Sequence, residues 1–257
     1  MTPLHFAALT LSAALKLVPR RRRWRALVIA SVFAGMMPLL FRARRSNAIA
    51  GRREMALIRL LVATSKLRLR FDPVVQHENL GDVQAVLGRP GGVLVVGVHD
   101  GLSFLAVRHF FDVGRDPVVV SLNPGSLALG RDDPPRGVLI TPTLLPDTLR
   151  HLRAGELVCA MLDRASPEKG TYAVDTPQGE MHVSTPLLKV ASAAGASILF
   201  VRAKAIGEQV RLRWCAASDP ASLEAVKSEF AAFLRRPMNE RPAVKGAGEA
   251  LGALKHG

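Results

Sequence analysis

The sequence predicts an α/β fold: a mixed, largely parallel central sheet flanked by helices, preceded by an N-terminal apolar and basic helical segment that anchors the chain to a membrane. Three observations carry that expectation. From residue 71 onward, short runs rich in β-branched residues alternate with longer amphipathic stretches, the pattern of strands buried on both faces between covering helices. Glycine and proline punctuate these runs where turns are needed. Hydrophobic residues make up 49% of the 257 positions, enough for one sizeable core.

The charge is unevenly placed. Residues 1–70 hold thirteen arginines and two lysines against the single acid Glu54, so the whole net charge of +14 lies in this quarter. Residues 71–257 hold 20 basic and 20 acidic residues and are neutral. An evenly basic chain would point to nucleic acid, whereas this asymmetry points to a tethering segment on a neutral body. Residues 4–18 and 26–41 are apolar, the first ended by Pro19 and the cluster Arg20–Arg23, the second interrupted by Pro38 and closed by Arg42, Arg44 and Arg45. Both are shorter than the roughly 20 residues of a spanning helix. The basic residues of the first follow its apolar part, the reverse of a signal peptide. Two such helices with Trp24 at their junction suit a segment lying in an anionic membrane surface. The amphipathic stretch 54–69, with Arg59, Lys66 and Arg68 among leucines, continues the theme. An ordinary helical subdomain packed on the core is the plainer alternative. Cys159 and Cys215 fit neither a metal spacing nor a disulfide framework, so buried thiols in a reducing compartment are expected.

The body reads in order as follows. Residues 93–98 form the first clear strand, entered from Gly91-Gly92, and residues 102–111 follow as a helix. Residues 117–122 form a second strand, and the Gly-, Pro- and Asp-rich residues 123–135 a loop able to act as a lid. A helix spans 143–154 and stops at Gly155. Residues 156–162 are another buried strand, ending in Asp163-Arg164. After the loop 165–170, strands 171–175 and 180–183 flank a turn. Thr185 is placed as N-cap and Pro186 as first residue of a helix ended by Gly195. Residues 196–203 and 209–215 read as strands, Asp219-Pro220 as the cap of a last helix reaching Arg235, and the tail from Pro237 as loose. The domain reading is therefore 1–70, 71–236 and 237–257.

Chemistry concentrates after strand 93–98, where His99, Asp100 and Gly101 follow a buried strand, the end at which open α/β sheets place their sites. Three blocks, GGVLVVGVHDG (residues 91–101), LRAGELVCAMLDR (152–164) and GEMHVSTPLLKVASAAGASILFVRA (179–203), together resemble the lysophospholipid acyltransferase-like superfamily. Within it they are most similar to the lauroyl/myristoyl acyltransferases of lipid A synthesis. The resemblance covers roughly residues 75–235 and rests on the order and spacing of the blocks. It implies a transferase that moves a fatty acyl group from an acyl-carrier protein or coenzyme A thioester to a hydroxyl or amine, at the cytoplasmic face of a bacterial inner membrane, with no cofactor beyond that co-substrate. One departure matters: the family places an acid five positions after the histidine, and here that position is Phe104.

Such chemistry needs a base for the incoming hydroxyl or amine and a carboxylate to fix the imidazole. His99 is the candidate base, and Asp100 or Asp163 its partner. Backbone N–H groups near Gly101 are candidates for the oxyanion. Arg164 is a candidate for an acceptor or carrier phosphate, with a surface ion pair as the plainer reading. Thr185 belongs to the same block, though a helix cap accounts for it more simply. His109, His151 and His182 stand apart without metal spacing, and no metal, phosphate-loop or dinucleotide motif is present. The alternative function is a non-catalytic acyl- or lipid-binding relative, on the strength of Phe104; a nucleic-acid-binding protein ranks below both.

Overall fold

The computed structural model describes residues 18–19, 22–23, 25–27, 29–30, 74–99, 102–103, 105–121, 136–164, 170–177, 179–206 and 209–238. The loop expected at 123–135, the stretch 54–69 and most of the proposed anchor lie outside the described residues. In chain order the elements are β1 (Val74–Glu78), α1 (Leu80–Leu87), β2 (Val93–Gly97), α2 (Leu105–Asp112), β3 (Val118–Ser121), β4 (Arg136–Leu139) and α3 (Leu144–Arg153). They continue with β5 (Leu157–Met161), β6 (Asp163–Arg164), β7 (Thr171–Thr176), β8 (Gly179–Ser184), α4 (Pro186–Ala194), β9 (Ser197–Ile206), β10 (Gln209–Ala216) and α5 (Leu223–Arg235).

Seven strands form one sheet in the order β1-β10-β9-β2-β5-β3-β4. β9, β2, β5, β3 and β4 are mutually parallel, and β10 with β1 runs the other way, so the expected mixed, largely parallel sheet is present. β2 lies at its centre and is buried at all five positions because both faces are covered. Val93 and Val95 point into one core layer with Phe110, Leu199 and Trp214. Leu94 and Val96 point into the other with Leu188, Phe200 and Phe230. A second, three-stranded sheet, β6-β8-β7, extends from the carboxyl end of the first.

Described helical residues lie among 22–30, and Leu27 there is completely buried in the first layer, with Val18 and Ala26 packed against it. Part of the basic N-terminal segment therefore covers the sheet. Among the described residues no helix is long and apolar enough to cross a membrane. At the other end the packing reaches Met238, which is buried.

Several local expectations change. β1, α1 and β4 were not anticipated: VVQHE and RGVL are short and carry two apolar residues each, and LGDVQAVL is only eight residues long with a glycine near its start. The last helix is capped by Ser222, whose Oγ accepts from the Ala225 N–H at 3.3 Å, and not by Asp219-Pro220. Asp219 instead accepts from the Ala221 N–H at 3.2 Å, a local turn that resembles a helix start in sequence. Gly195 ends α4 in the left-handed conformation, as its sequence position suggested.

Candidate active site

The site is built by two neighbouring parallel strands. In the β2–β5 ladder Gly97 lies opposite Met161, and the Leu162 N–H extends the pairing by donating to the Gly97 carbonyl at 2.9 Å. His99 and Asp163 each stand two residues beyond that rung, so the sheet register brings them side by side. The His99 main-chain N–H donates to Asp163 Oδ1 at 3.0 Å, and His99 Nδ1 lies 2.8 Å from the same oxygen. A carboxylate oxygen only accepts, so Nδ1 carries the proton and Nε2 of the neutral ring is the basic nitrogen.

Asp163 is well placed to stay ionised. Burial alone would raise its carboxyl, but the side-chain and main-chain hydrogen bonds from His99, the His99 charge and its own backbone N–H outweigh that. They hold it below the ordinary carboxylate value. Its side chain is 20% exposed, whereas that of His99 is 69% exposed. The acid is thus seated in the protein and the imidazole reaches outward, the arrangement a positioned base requires.

The turn after His99 is pinned to β9. The Leu102 N–H donates to the Ala203 carbonyl at 3.2 Å, while the Ala203 N–H donates to Ser103 Oγ at 3.1 Å. Both main-chain groups of Ala203 are thereby used, and Ser103 is buried. The sequence reading passed over Ser103, since one hydroxyl in an apolar stretch gives no signal. It also offered the amides near Gly101 as oxyanion donors; that of Leu102 is spent on Ala203 and cannot serve.

The remaining candidates fall as follows. Asp100, Gly101 and Phe104 lie outside the described residues. Arg164 pairs through its backbone with His182 in β6–β8, and its side chain lies outside the described residues. Thr185 holds the N-cap position of α4, with Pro186 in the first turn, but makes no capping bond. Its hydroxyl and its N–H both donate to the Gly170 carbonyl, each at 2.8 Å, so Thr185 secures the end of the loop before β7. Cys159 is buried, and burial pushes its thiol far up, away from nucleophilic character.

The other described histidines lie in ion pairs and aromatic packing. His151 pairs with Glu156, and His182 lies 3.4 Å from Glu180. His109 packs on His77 with ring centroids 4.4 Å apart, beside Trp214. Among the described residues no group of three or more His, Cys, Asp or Glu could hold a metal. Among the described residues a cleft of about 500 Å³, whose lining includes Arg89, Arg115, Asp116, Arg136 and Glu156, sits at the opposite end of the sheet.

No protein-family model matches the chain, and no curated protein is significantly similar to it in sequence.

Proposed function

We propose that the protein is an acyltransferase in which His99 removes a proton from a hydroxyl or amine as it attacks an acyl thioester, with Asp163 orienting the imidazole. The observation that carries this reading is the double contact of Asp163 Oδ1 with the Nδ1 and the N–H of His99. A carboxylate on Nδ1 sets the tautomer that leaves Nε2 basic and steadies the imidazolium formed on proton transfer. It also answers the departure at Phe104: an acid from the neighbouring strand stands in for one five residues on. The donor on this reading is an acyl-carrier protein or coenzyme A thioester, with no further cofactor. The acceptor is a lipid or small molecule at the cytoplasmic face of a bacterial inner membrane, which the arginine-rich residues 1–70 would contact. Arg164 is the residue of the family-like block suited to a phosphate on donor or acceptor.

The test is mass spectrometry of purified protein and membrane lipid incubated with acyl-carrier and coenzyme A thioesters, wild type beside His99→Ala. A new acylated product in the wild type that disappears in the variant is expected. Equal product from both proteins would refute the role of His99. An acyl chain that copurifies with both and is never transferred would favour the second reading, a lipid-binding relative, which Phe104 supports in sequence.

A further inference from the structure

The cleft of about 500 Å³ lies at the amino ends of the parallel strands, where Val93 opens β2, Leu157 opens β5 and Arg136 opens β4. His99 follows the carboxyl end of β2, so the length of that strand separates the two places by on the order of 20 Å. Three arginines, Arg89, Arg115 and Arg136, face the cleft together with Asp116 and Glu156.

These charges are not equivalent. Arg136 is engaged through all three of its nitrogens: its Nε donates to Asp116 Oδ2 at 3.0 Å, its Nη1 to Glu156 Oε1 at 2.8 Å and its Nη2 to the Asp116 carbonyl at 3.1 Å. The Arg136 guanidinium holds the Glu156 carboxyl below its usual value, helped by His151 on the other oxygen. Both carboxylates of the lining are therefore committed to the wall. The Arg115 guanidinium donates to the Leu87 carbonyl, at 3.3 Å, and the Arg89 guanidinium has no ion pair or hydrogen bond among the described residues, its main-chain N–H donating to the Val86 carbonyl. Two guanidinium groups thus line one cleft without a carboxylate partner among the described residues.

We propose that this cleft binds a phosphoryl group through Arg89 and Arg115. Two planar guanidinium forks match the charge and the oxygen geometry of a phosphate dianion, and each can engage it through two donors. The Arg136–Asp116–Glu156 network lines the same cleft. A soluble ester and a lipid headgroup both present this phosphoryl chemistry, and the two sources separate experimentally.

The experiment uses the full chain in three forms: wild type, Arg89→Gln/Arg115→Gln, and Arg150→Gln/Lys189→Gln, which removes two exposed charges elsewhere. One arm titrates inorganic phosphate by calorimetry. The other measures sedimentation with phosphatidylcholine vesicles with and without phosphatidic acid. The control variant corrects for attraction of anions to the basic N-terminal segment. The expected result is a loss of about tenfold or more in phosphate affinity, in phosphatidic-acid-dependent binding, or in both, confined to the cleft variant. Loss in the first arm alone identifies a soluble phosphate ester, and loss that extends to the second identifies a headgroup. No loss in either arm, or equal loss in the control variant, would overturn the proposal. His99→Ala should leave both arms unchanged, which separates this site from the one proposed above.

Discussion

Gly92 is the position where a single methyl group should cost the fold most. A Cβ built there would lie 2.2 Å from the Leu152 carbonyl oxygen, 2.7 Å from the Leu152 Cα and 2.8 Å from its carbonyl carbon. Relief to van der Waals contact requires a backbone shift of roughly 1 Å, and neither side is able to give it cheaply. The Gly92 carbonyl accepts from the Ser197 N–H at 3.0 Å, and the adjacent Val93 N–H donates to the Glu156 carbonyl at 3.1 Å. Opposite, the Leu152 side chain is buried and its carbonyl accepts from the Gly155 N–H at 3.1 Å. Overpacking a core commonly costs about 1–3 kcal/mol, and a clash between two pinned backbones belongs at or above the upper end. Gly92→Ala should therefore lower stability by about 3 kcal/mol or more, read as a fall in the urea midpoint at constant slope. Gly81→Ala is the matched control. Nothing lies within 4 Å of the added methyl in α1, so the gain in helix propensity should stabilise by about 0.5–1 kcal/mol. A Gly92→Ala protein within 1 kcal/mol of wild type would refute the packing argument.

Three further outcomes are expected. Asp163→Asn removes a charge-assisted hydrogen bond worth about 1.5–3 kcal/mol. Because solvent reaches the exposed His99, acyl transfer should fall by about tenfold to a hundredfold; turnover within twofold of wild type would deny Asp163 its role. Ser103→Ala leaves the buried Ala203 N–H without its acceptor and should destabilise by about 1–3 kcal/mol, measured by denaturant unfolding. The third outcome concerns pH. Burial lowers the His77 and His109 pKa values, and for His109 the neighbouring His77 lowers it further while Asp112 opposes. Below about pH 6.5 the unfolded chain then binds more protons than the folded one, so stability should drop as pH falls through that range and be insensitive to these groups above it. The Trp214 indole N–H, which donates to His77 Nδ1 at 3.1 Å, loses its acceptor when that nitrogen is protonated. A His77→Gln/His109→Gln protein should show a smaller acid loss, and an equal loss in both proteins would place the sensitivity elsewhere.

The central strands were legible because burial on both faces leaves an unmistakable apolar run, as at Val93–Gly97 and Leu157–Met161. The sheet edges were not. Val74–Glu78 at one edge alternates exposed with half-buried residues, and α1 buries only Val83 and Val86. α1 also starts from Asn79 in the left-handed conformation, without a capping side-chain bond. Arg202 and Arg213, in strands whose side chains the sequence did not place, are 4% and 3% exposed. Arg202 donates to the Leu234 carbonyl at 2.7 Å, and Arg213 to the Pro237 carbonyl at 3.0 Å and Glu78 at 2.5 Å. Arg202 thus meets the carboxyl end of α5 and Arg213 the Glu78 carboxylate of β1 and the chain just after α5, long-range contacts with no local trace in the sequence.

The His99–Asp163 contact lies between these extremes. The sequence offered Asp100 and Asp163 as alternatives, and nothing local distinguishes an adjacent acid from one 64 residues away. The distinguishing fact is register. In a parallel pair, residues at equal offsets beyond one rung point to the same face and stay neighbours while the ladder continues. Aligning the apolar runs so that Val93 meets Leu157 places His99 opposite Asp163, and the two valines, the cysteine and the leucine of that face fall into one core layer. Once β2 and β5 are taken as adjacent, the pairing follows from the alternation of buried side chains, and it needs no acid at position 104.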